Sequence, residues 1–305
     1  PYTTLFRSPP TSDLTNISGT ILLTAQDSTI KDNSSNNLTI TTTSGSPSAT
    51  QTFPYIQDNN TDGTITSSVR ANPATGFSVV TWTGNGTAGA TVGHGLETAP
   101  SMIIVKDKSL ARNWLVYHSA MGATKGTELN LTNGFATYTQ YWNDTAPTSS
   151  VFSTGIWANE NASNYVTYCF SEVAGYSKFG SYTGNGSTSG PTITTGFRPA
   201  FVLIKKSSSS GTNWMMYDNT RNVANPANNP LTANTSNAEA TSTNQIDFNS
   251  DEFQITSSSG GVNTSGDTYI YIAFADTRDA QFNFDASGNK NNWTANNINS
   301  NASGD

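Results

Sequence analysis

The sequence predicts an all-β protein, with two tandem repeated β-sandwich-like (or partly closed barrel) domains and partial β flanks. Three observations lead there. The chain repeats itself after about 100 residues. Its apolar runs are short, rich in β-branched and aromatic residues, and bounded by turn formers. Outside residues 237–240, nothing has the spacing of an amphipathic helix. Composition agrees: only 11% of the 305 residues are charged, yet 12 Tyr, 14 Phe and 6 Trp are spread along the chain, so it has the aromatic content of a folding protein rather than a disordered one.

The repeat organises everything else. Gly76, Phe77 and Ser78 lead to Thr83, Gly84, Asn85 and Gly86; Gly175, Tyr176 and Ser177 lead in the same way to Thr183, Gly184, Asn185 and Gly186. The segment from Pro100 to Lys106 then aligns with that from Pro199 to Lys205, Asn113 and Trp114 with Asn213 and Trp214, and Tyr117 with Tyr217. Phe152 matches Phe253, and residues 165–170 match 269–274. The runs 101–105 and 200–204 begin after a proline and end at a lysine, as central strands buried on both faces do. Residues 165–170 and 269–274 read as a second central pair, with alternate aromatics placed for cross-strand packing. The Thr-Gly-Asn-Gly motif lies between a strand ending in Trp82 or Tyr182 and a Thr-rich strand at 90–92 or 192–194; Asn-Gly tolerates positive φ, so a hairpin is expected there. Each repeat is expected to bury its own layered strands.

These elements set the domain plan: repeat domains at residues 71–174 and 175–279, with flanks on either side. Residues 1–8 (PYTTLFRS) look like a translated sequencing adapter and are set aside from fold reasoning. Residues 9–70 hold strand-like runs at 19–26 and 38–41 around the turn-rich 32–37, and resemble the closing part of a laminin-G-like, concanavalin-type jelly roll followed by a linker. Residues 280–305 resemble the opening of another such module. Both ends are expected to be truncated, with 45–70 and 280–305 extended or poorly ordered for want of partner strands.

The charge of −7 provides no basic footprint for nucleic acid, and no apolar run is long enough for a membrane-spanning helix. No Cys/His cluster has metal-ligand spacing, and no cofactor motif appears. The repeat itself filters candidates. His94 aligns near Thr195 and His118 with Asp218, so neither histidine belongs to the shared framework. Cys169 aligns with Ala273, a position that needs a small side chain and not a thiol. Lys106, Lys205, Glu172 and Asp276 are expected to be solvated charges at sheet ends.

Catalysis would require carboxylates such as Glu97, Asp107, Glu128, Asp144, Glu160 and Glu172 to converge, which their spacing does not show; no enzymatic activity is expected. Ligand binding has a better foothold in the aromatic segment of Tyr138, Tyr141 and Trp142, joined by Trp157, because the aligned segment of the second repeat, 232–244, has no aromatic residue. Two readings stand: an exposed platform for sugar rings or protein partners, or a local edge strand or core plug, which the usual burial of large aromatics favours. On the platform reading, Trp142→Ala weakens glycan binding more than it lowers the melting temperature, and an unaltered binding isotherm rules the patch out.

At GFSVVTWTGNG, PSMIIVK, EVAGYSKFGSYTGNG, GFRPAFVLIKK, NWMMYDNTRN and YIYIAFAD the chain resembles a repeat family of unknown function common in marine phage and virome proteins, over roughly residues 70–279. The resemblance implies a location on the virion surface, in a tail fibre or other host-facing appendage, as a spacer, a receptor-binding module, or both. It implies a host cell-surface glycan or receptor and other virion proteins as partners, and, by analogy with phage fibres, a homotrimer. The alternatives are an adhesin on a bacterial cell surface and a phage glycan depolymerase. The family has no catalytic residues to carry over.

Overall fold

A computed structural model describes residues 55–239 and 241–276. The adapter-like residues 1–8, the laminin-G-like runs at 19–26 and 38–41, and the module opening at 280–305 lie outside the described residues. The first half carries β1 (Tyr55–Asn60), β2 (Ser67–Asn72), β3 (Phe77–Thr83), β4 (Ala90–Gly93), β5 (Met102–Asp107), β6 (Leu115–His118), β7 (Lys125–Glu128) and β8 (Ala136–Thr137). A one-turn helix α1 (Thr139–Trp142), β9 (Val151–Thr154), a 3-10 turn (Ile156–Ala158) and β10 (Asn164–Phe170) complete it. The second half carries β11 (Ser177–Thr183), β12 (Thr192–Thr194), β13 (Pro199–Lys206), β14 (Met215–Asp218), β15 (Leu231–Thr232), β16 (Ile246–Phe248), β17 (Glu252–Ile255) and β18 (Thr268–Ala275). The architecture is all-β, in several antiparallel sheets consistent with a β-sandwich-like fold.

The main sheet of the first half has the order β1-β2-β3-β10-β5-β6-β7-β8, with β4-β9 as a small second sheet. In the second half the main sheet runs β11-β18-β13-β14-β15 and the small sheet β12-β17-β16. In each main sheet the last strand of the half inserts between earlier ones: Cys169 of β10 lies between Ser78 and Ile103, and Ala273 of β18 between Lys178 and Val202. A central strand has neighbours on both edges and layers on both faces, which is why these segments are near-continuously apolar.

Alternation along those strands divides the side chains among three cores. Val80, Trp82, Ile103, Val105, Tyr165 and Cys169 face the small sheet of the first half. Val202, Ile204, Met215, Tyr217, Tyr269 and Tyr271 face that of the second. The opposite faces of the two main sheets pack on each other through Met102, Val116, Phe179, Leu203, Ile270 and Ile272, with Phe170 and Phe274 at the margin. The described part of the chain thus belongs to a single compact unit: each half buries a core of its own, and the two halves share a third. Both-face burial was legible; the partner for the second face was not.

Four expectations change. Residues 55–72, read in part as linker, form β1 and β2, and β2 extends the sheet at β3 with Ser67, Val69 and Ala71 turned alternately inward. Thr-Gly-Asn-Gly is not a hairpin: β4 pairs with β9 and β12 with β17, so the motif carries the chain from the main sheet to the small one. The helix hinted at 237–240 is not formed over its described residues 237–239, whereas 139–142 is helical. The terminal lysines are not simply solvated. Lys106 Nζ donates to the carbonyls of Asp107 and Arg112, both at 2.8 Å, and the buried Lys205 donates to those of Thr212 at 3.0 Å and Thr132 at 3.3 Å.

The motif's composition follows from the crossover. A Cβ at Gly84 would sit 2.1 Å from the Glu160 carbonyl oxygen, and Gly86 has φ +70°, so both positions demand glycine. Asn85 N–H donates to the side-chain oxygen of the buried Asn159 at 2.9 Å, and Asn159 Nδ2 donates back to Asn85 Oδ1 at 2.8 Å. Asn185 and Asn263 exchange the same two bonds at 2.8 and 3.0 Å. A buried amide with all its partners fixes the loop in one conformation.

His118 lies in the core between the main sheets, its ring beside Phe179 and its Nε2 at 3.3 Å from the Tyr271 carbonyl. Burial pushes its pKa down to about 4. The unfolded chain therefore takes up the proton at higher pH than the folded one: stability present above about pH 6.5 is lost as the pH falls toward 4, amounting to about 3 kcal/mol at ~1.4 kcal/mol per unit. Chemical denaturation at pH 7, 5.5 and 4 checks this, and His118→Asn is expected to flatten that part of the profile.

Candidate ligand-binding site

One end of the first half gathers groups that the sequence keeps apart. Helix α1 is closed by Asn143 at φ 52°, whose N–H donates to the Thr139 carbonyl, and its four residues turn Tyr141 and Trp142 inward. Gly126 on β7 makes room: a Cβ there would meet the Tyr141 ring at 2.4 Å. Tyr141 then donates its hydroxyl to the Glu128 carboxylate at the end of β7, and Asn133 Nδ2 donates to the other oxygen at 3.1 Å. Burial, and then the Glu128 carboxylate, push the Tyr141 pKa well up.

The four aromatics proposed from the sequence divide. Tyr138 stacks on Tyr141 at 4.7 Å between centroids, and Trp157 lies 6.3 and 5.9 Å from those two rings. Trp157 is 49% exposed, whereas Tyr141 and Trp142 are each 2% exposed. Trp142 packs edge-on to Tyr117, 5.8 Å away, inside the first-half core. The placement of Tyr141 and Trp142 on an exposed platform is therefore corrected: the helix packs both into the first-half core, against Gly126 and Tyr117. Trp157 is the exposed member, because the 3-10 turn carries it outward.

Beside Trp157 opens a cleft of about 270 Å³ lined by Asp107, Arg112, Asn113, Glu128, Tyr141 and Tyr165 among others. Asp107, 4% exposed, closes β5; its Oδ1 accepts from the backbone N–H groups of Ser109 at 2.8 Å and Leu110 at 2.9 Å. Its Oδ2 is buried. The Tyr165 hydroxyl accepts from the Glu160 N–H at 2.8 Å. Burial, with the charges of Asp107 and Glu160 in support, pushes this phenol up to about 12. The charge of Asp107 and a side-chain hydrogen bond to it both favour the neutral phenol. At the rim Arg112 forms an ion pair with Glu160. Of the carboxylates considered from the sequence, Asp107 and Glu128 line the cleft and Glu160 reaches its edge through Arg112. Glu97, Asp144 and Glu172 do not line it.

The second half keeps the frame and changes the chemistry. Lys206 faces Tyr269 across the strand pair where Asp107 faces Tyr165, and Thr232 pairs with Met215 where Glu128 pairs with Leu115. Lys206 bonds Asp267 at 2.7 Å. A cavity of about 430 Å³ at Thr212, Asn213, Thr232 and Asn244 has no charged or aromatic side chain in its lining. Asp107, Arg112 and Glu128 are the residues that the aromatic pattern missed. The mismatch of Asp107 with Lys206 was the available signal.

Cys169 is fully buried, and burial pushes its thiol up to about 12, consistent with a packing role. Among the described residues no group of His, Cys, Asp and Glu could hold a metal ion, and no helix is long and apolar enough to cross a membrane. The expected outcome of truncation is split. Trp142→Ala should cost about 3–5 kcal/mol of stability by opening a cavity, while Trp157→Ala should stay within ~0.5 kcal/mol; urea unfolding of both variants measures the difference.

No curated protein and no solved structure matches the chain. A family model matches residues 13–278 and so spans both halves with the segment before them. The chain belongs to the family described as Domain of unknown function (DUF7483).

Proposed function

We propose that the chain is a non-enzymatic structural protein of a phage virion, part of a tail fibre or other host-facing appendage, in which residues 71–174 and 175–279 are two tandem copies of one β-sandwich module. The first copy contacts a host cell-surface glycan through the cleft at Trp157. In favour of a shared module are the common strand order, the recurring Asn159 and Asn263 clamps, and the stacked pairs Trp82 with Tyr165 and Tyr182 with Tyr269. The core shared by the main sheets supports the spacer reading, since it packs the two halves on each other.

The glycan reading is carried by one observation: an exposed indole beside a carboxylate-lined cleft in one copy, with neither at the corresponding place in the other. An exposed aromatic face offers an apolar platform to the C–H face of a sugar ring while neighbouring acceptors take its hydroxyls. A second reading, a glycan depolymerase, gains from Asp107 and Glu128 sharing the cleft. Against it, both Glu128 oxygens already accept hydrogen bonds from Tyr141 and Asn133.

Binding of the chain to immobilised bacterial surface polysaccharides tests the proposal. Trp157→Ala is expected to weaken binding at least about tenfold, or ~1.4 kcal/mol, with an unchanged melting temperature. Full binding by that variant would remove the cleft from consideration. Polysaccharide shortened by the wild type but not by Asp107→Asn would replace the binding reading with the enzymatic one.

A further inference from the structure

Lys205 carries a buried charge that its own partners do not balance. Its Nζ donates to the Thr212 carbonyl at 3.0 Å, the Thr132 carbonyl at 3.3 Å and the Thr212 hydroxyl at 3.4 Å, all of them neutral. The adjacent Lys206 has Asp267 as its own counter-ion at 2.7 Å. Burial, and then the charge of Lys206, push the Lys205 pKa down to about 8, so the side chain is still mostly an ammonium at neutral pH. A desolvated cation is costly until an opposite charge comes near. Thr212 stands between this ammonium and the cavity of about 430 Å³, which it also lines. The hydrogen bonding of that lining runs one way. Thr212 Oγ1 accepts from Lys205, Asn213 Oδ1 accepts from Asn234 at 2.9 Å, and Ser242 Oγ accepts from both nitrogens of Asn244 at 3.1 and 3.0 Å. Two hydroxyl protons and the Asn213 amide N–H groups are thereby left to donate. No carboxylate is in the lining, and Glu239, beside the lining residue Ala238, is held by Arg221 at 2.6 Å.

We infer that this cavity of the second half is a binding site for a small oxoanion, carried as the carboxylate or sulfate ester of a larger ligand. Thr212, Asn213 and Ser242 donate to its oxygens. Lys205 does not touch the ligand and acts through Thr212: an oxygen ~2.7 Å from Thr212 Oγ1 lies within about 6 Å of Nζ, where opposite charges attract strongly in a partly desolvated setting. The volume falls within the ~300–1,000 Å³ of small-molecule sites, which leaves room for part of the carrier beside the anion. The site shares no residue with the cleft at Trp157 and does not rest on the glycan reading. It occupies the place where the first half has Glu128 and the second has Thr232, a substitution that removes a carboxylate and with it the repulsion of an anion.

Sodium sulfate, methyl glucuronide and the neutral methyl glucopyranoside test the site at matched ionic strength. Each is titrated into the chain while the Thr212 backbone amide, the Asn213 side-chain amide and the Trp157 indole N–H are followed by NMR. Sulfate and the glucuronide are expected to shift the Thr212 and Asn213 signals, with the glucopyranoside at least roughly tenfold weaker. The Lys205 titration should move above about 8 in sulfate, because a bound anion favours the ammonium. Lys205→Met should weaken anion binding at least about tenfold. Asn213→Asp keeps the acceptor for Asn234 and puts a negative charge in the lining; it should abolish anion binding, and it decides the question if Lys205→Met does not fold. A glucopyranoside that binds as well as the glucuronide overturns the inference, as does anion binding that survives Asn213→Asp. Sulfate binding without the glucuronide overturns the larger ligand and keeps the oxoanion. A glucuronide response at Trp157 alone overturns this site and leaves the glycan reading standing.

Discussion

The packing of the two main sheets on each other is the constraint from which the rest of the molecule follows. Strands β5, β10, β13 and β18 are apolar on both faces, and each could satisfy only one face within its own half. Stacking the halves back to back buries Met102, Val116, Leu203, Ile270 and Ile272, and brings in Trp214, whose indole N–H donates to the Glu128 carbonyl at 3.2 Å. Aliphatic side chains of this size contribute about 1.5–3 kcal/mol each on full burial, so the interface is comparable with a domain core.

That interface also reaches the candidate site. The loop after β7 is held from the second half by Phe135 N–H to the Ser207 carbonyl at 2.9 Å, Gly134 N–H to Ser210 Oγ at 3.0 Å, and Gly211 N–H to the Thr132 carbonyl at 2.9 Å. The same loop holds Asn133, which orients Glu128. The second half thus braces one wall of a cleft to which it contributes no lining residue. Asp107 against Lys206 and Glu128 against Thr232 differ at strand ends, where side-chain charge does not disturb the ladder.

The hydrogen-bonded asparagines explain why the repeat is so visible in the chain. Asn159 and Asn263 are buried with their amides committed to the Thr-Gly-Asn-Gly loops, and the glycines of those loops lie against backbone where no Cβ fits. Substitution at such positions costs a lost hydrogen bond or a steric clash.

By itself the sequence determined the local and the periodic. Short β-branched and aromatic runs specify strands because their side chains pack on a pleated surface; their burial on both faces was readable from the lack of a polar alternation, and the spacing of matched segments placed equivalent strands. Tertiary structure alone decided what lies against what. Thr-Gly-Asn-Gly reads as a hairpin because its turn chemistry is local, but the strand after it pairs with a segment some 60 residues further along the chain. The aromatic segment at 138–142 reads as one patch, but the direction of a single helical turn buried Trp142 and left exposure to Trp157. Asp107, Glu128 and Trp157 are remote in the chain and meet only because β10 inserts beside β5 and α1 folds over β7; side-chain convergence of this kind depends on strand order, which no local pattern encodes.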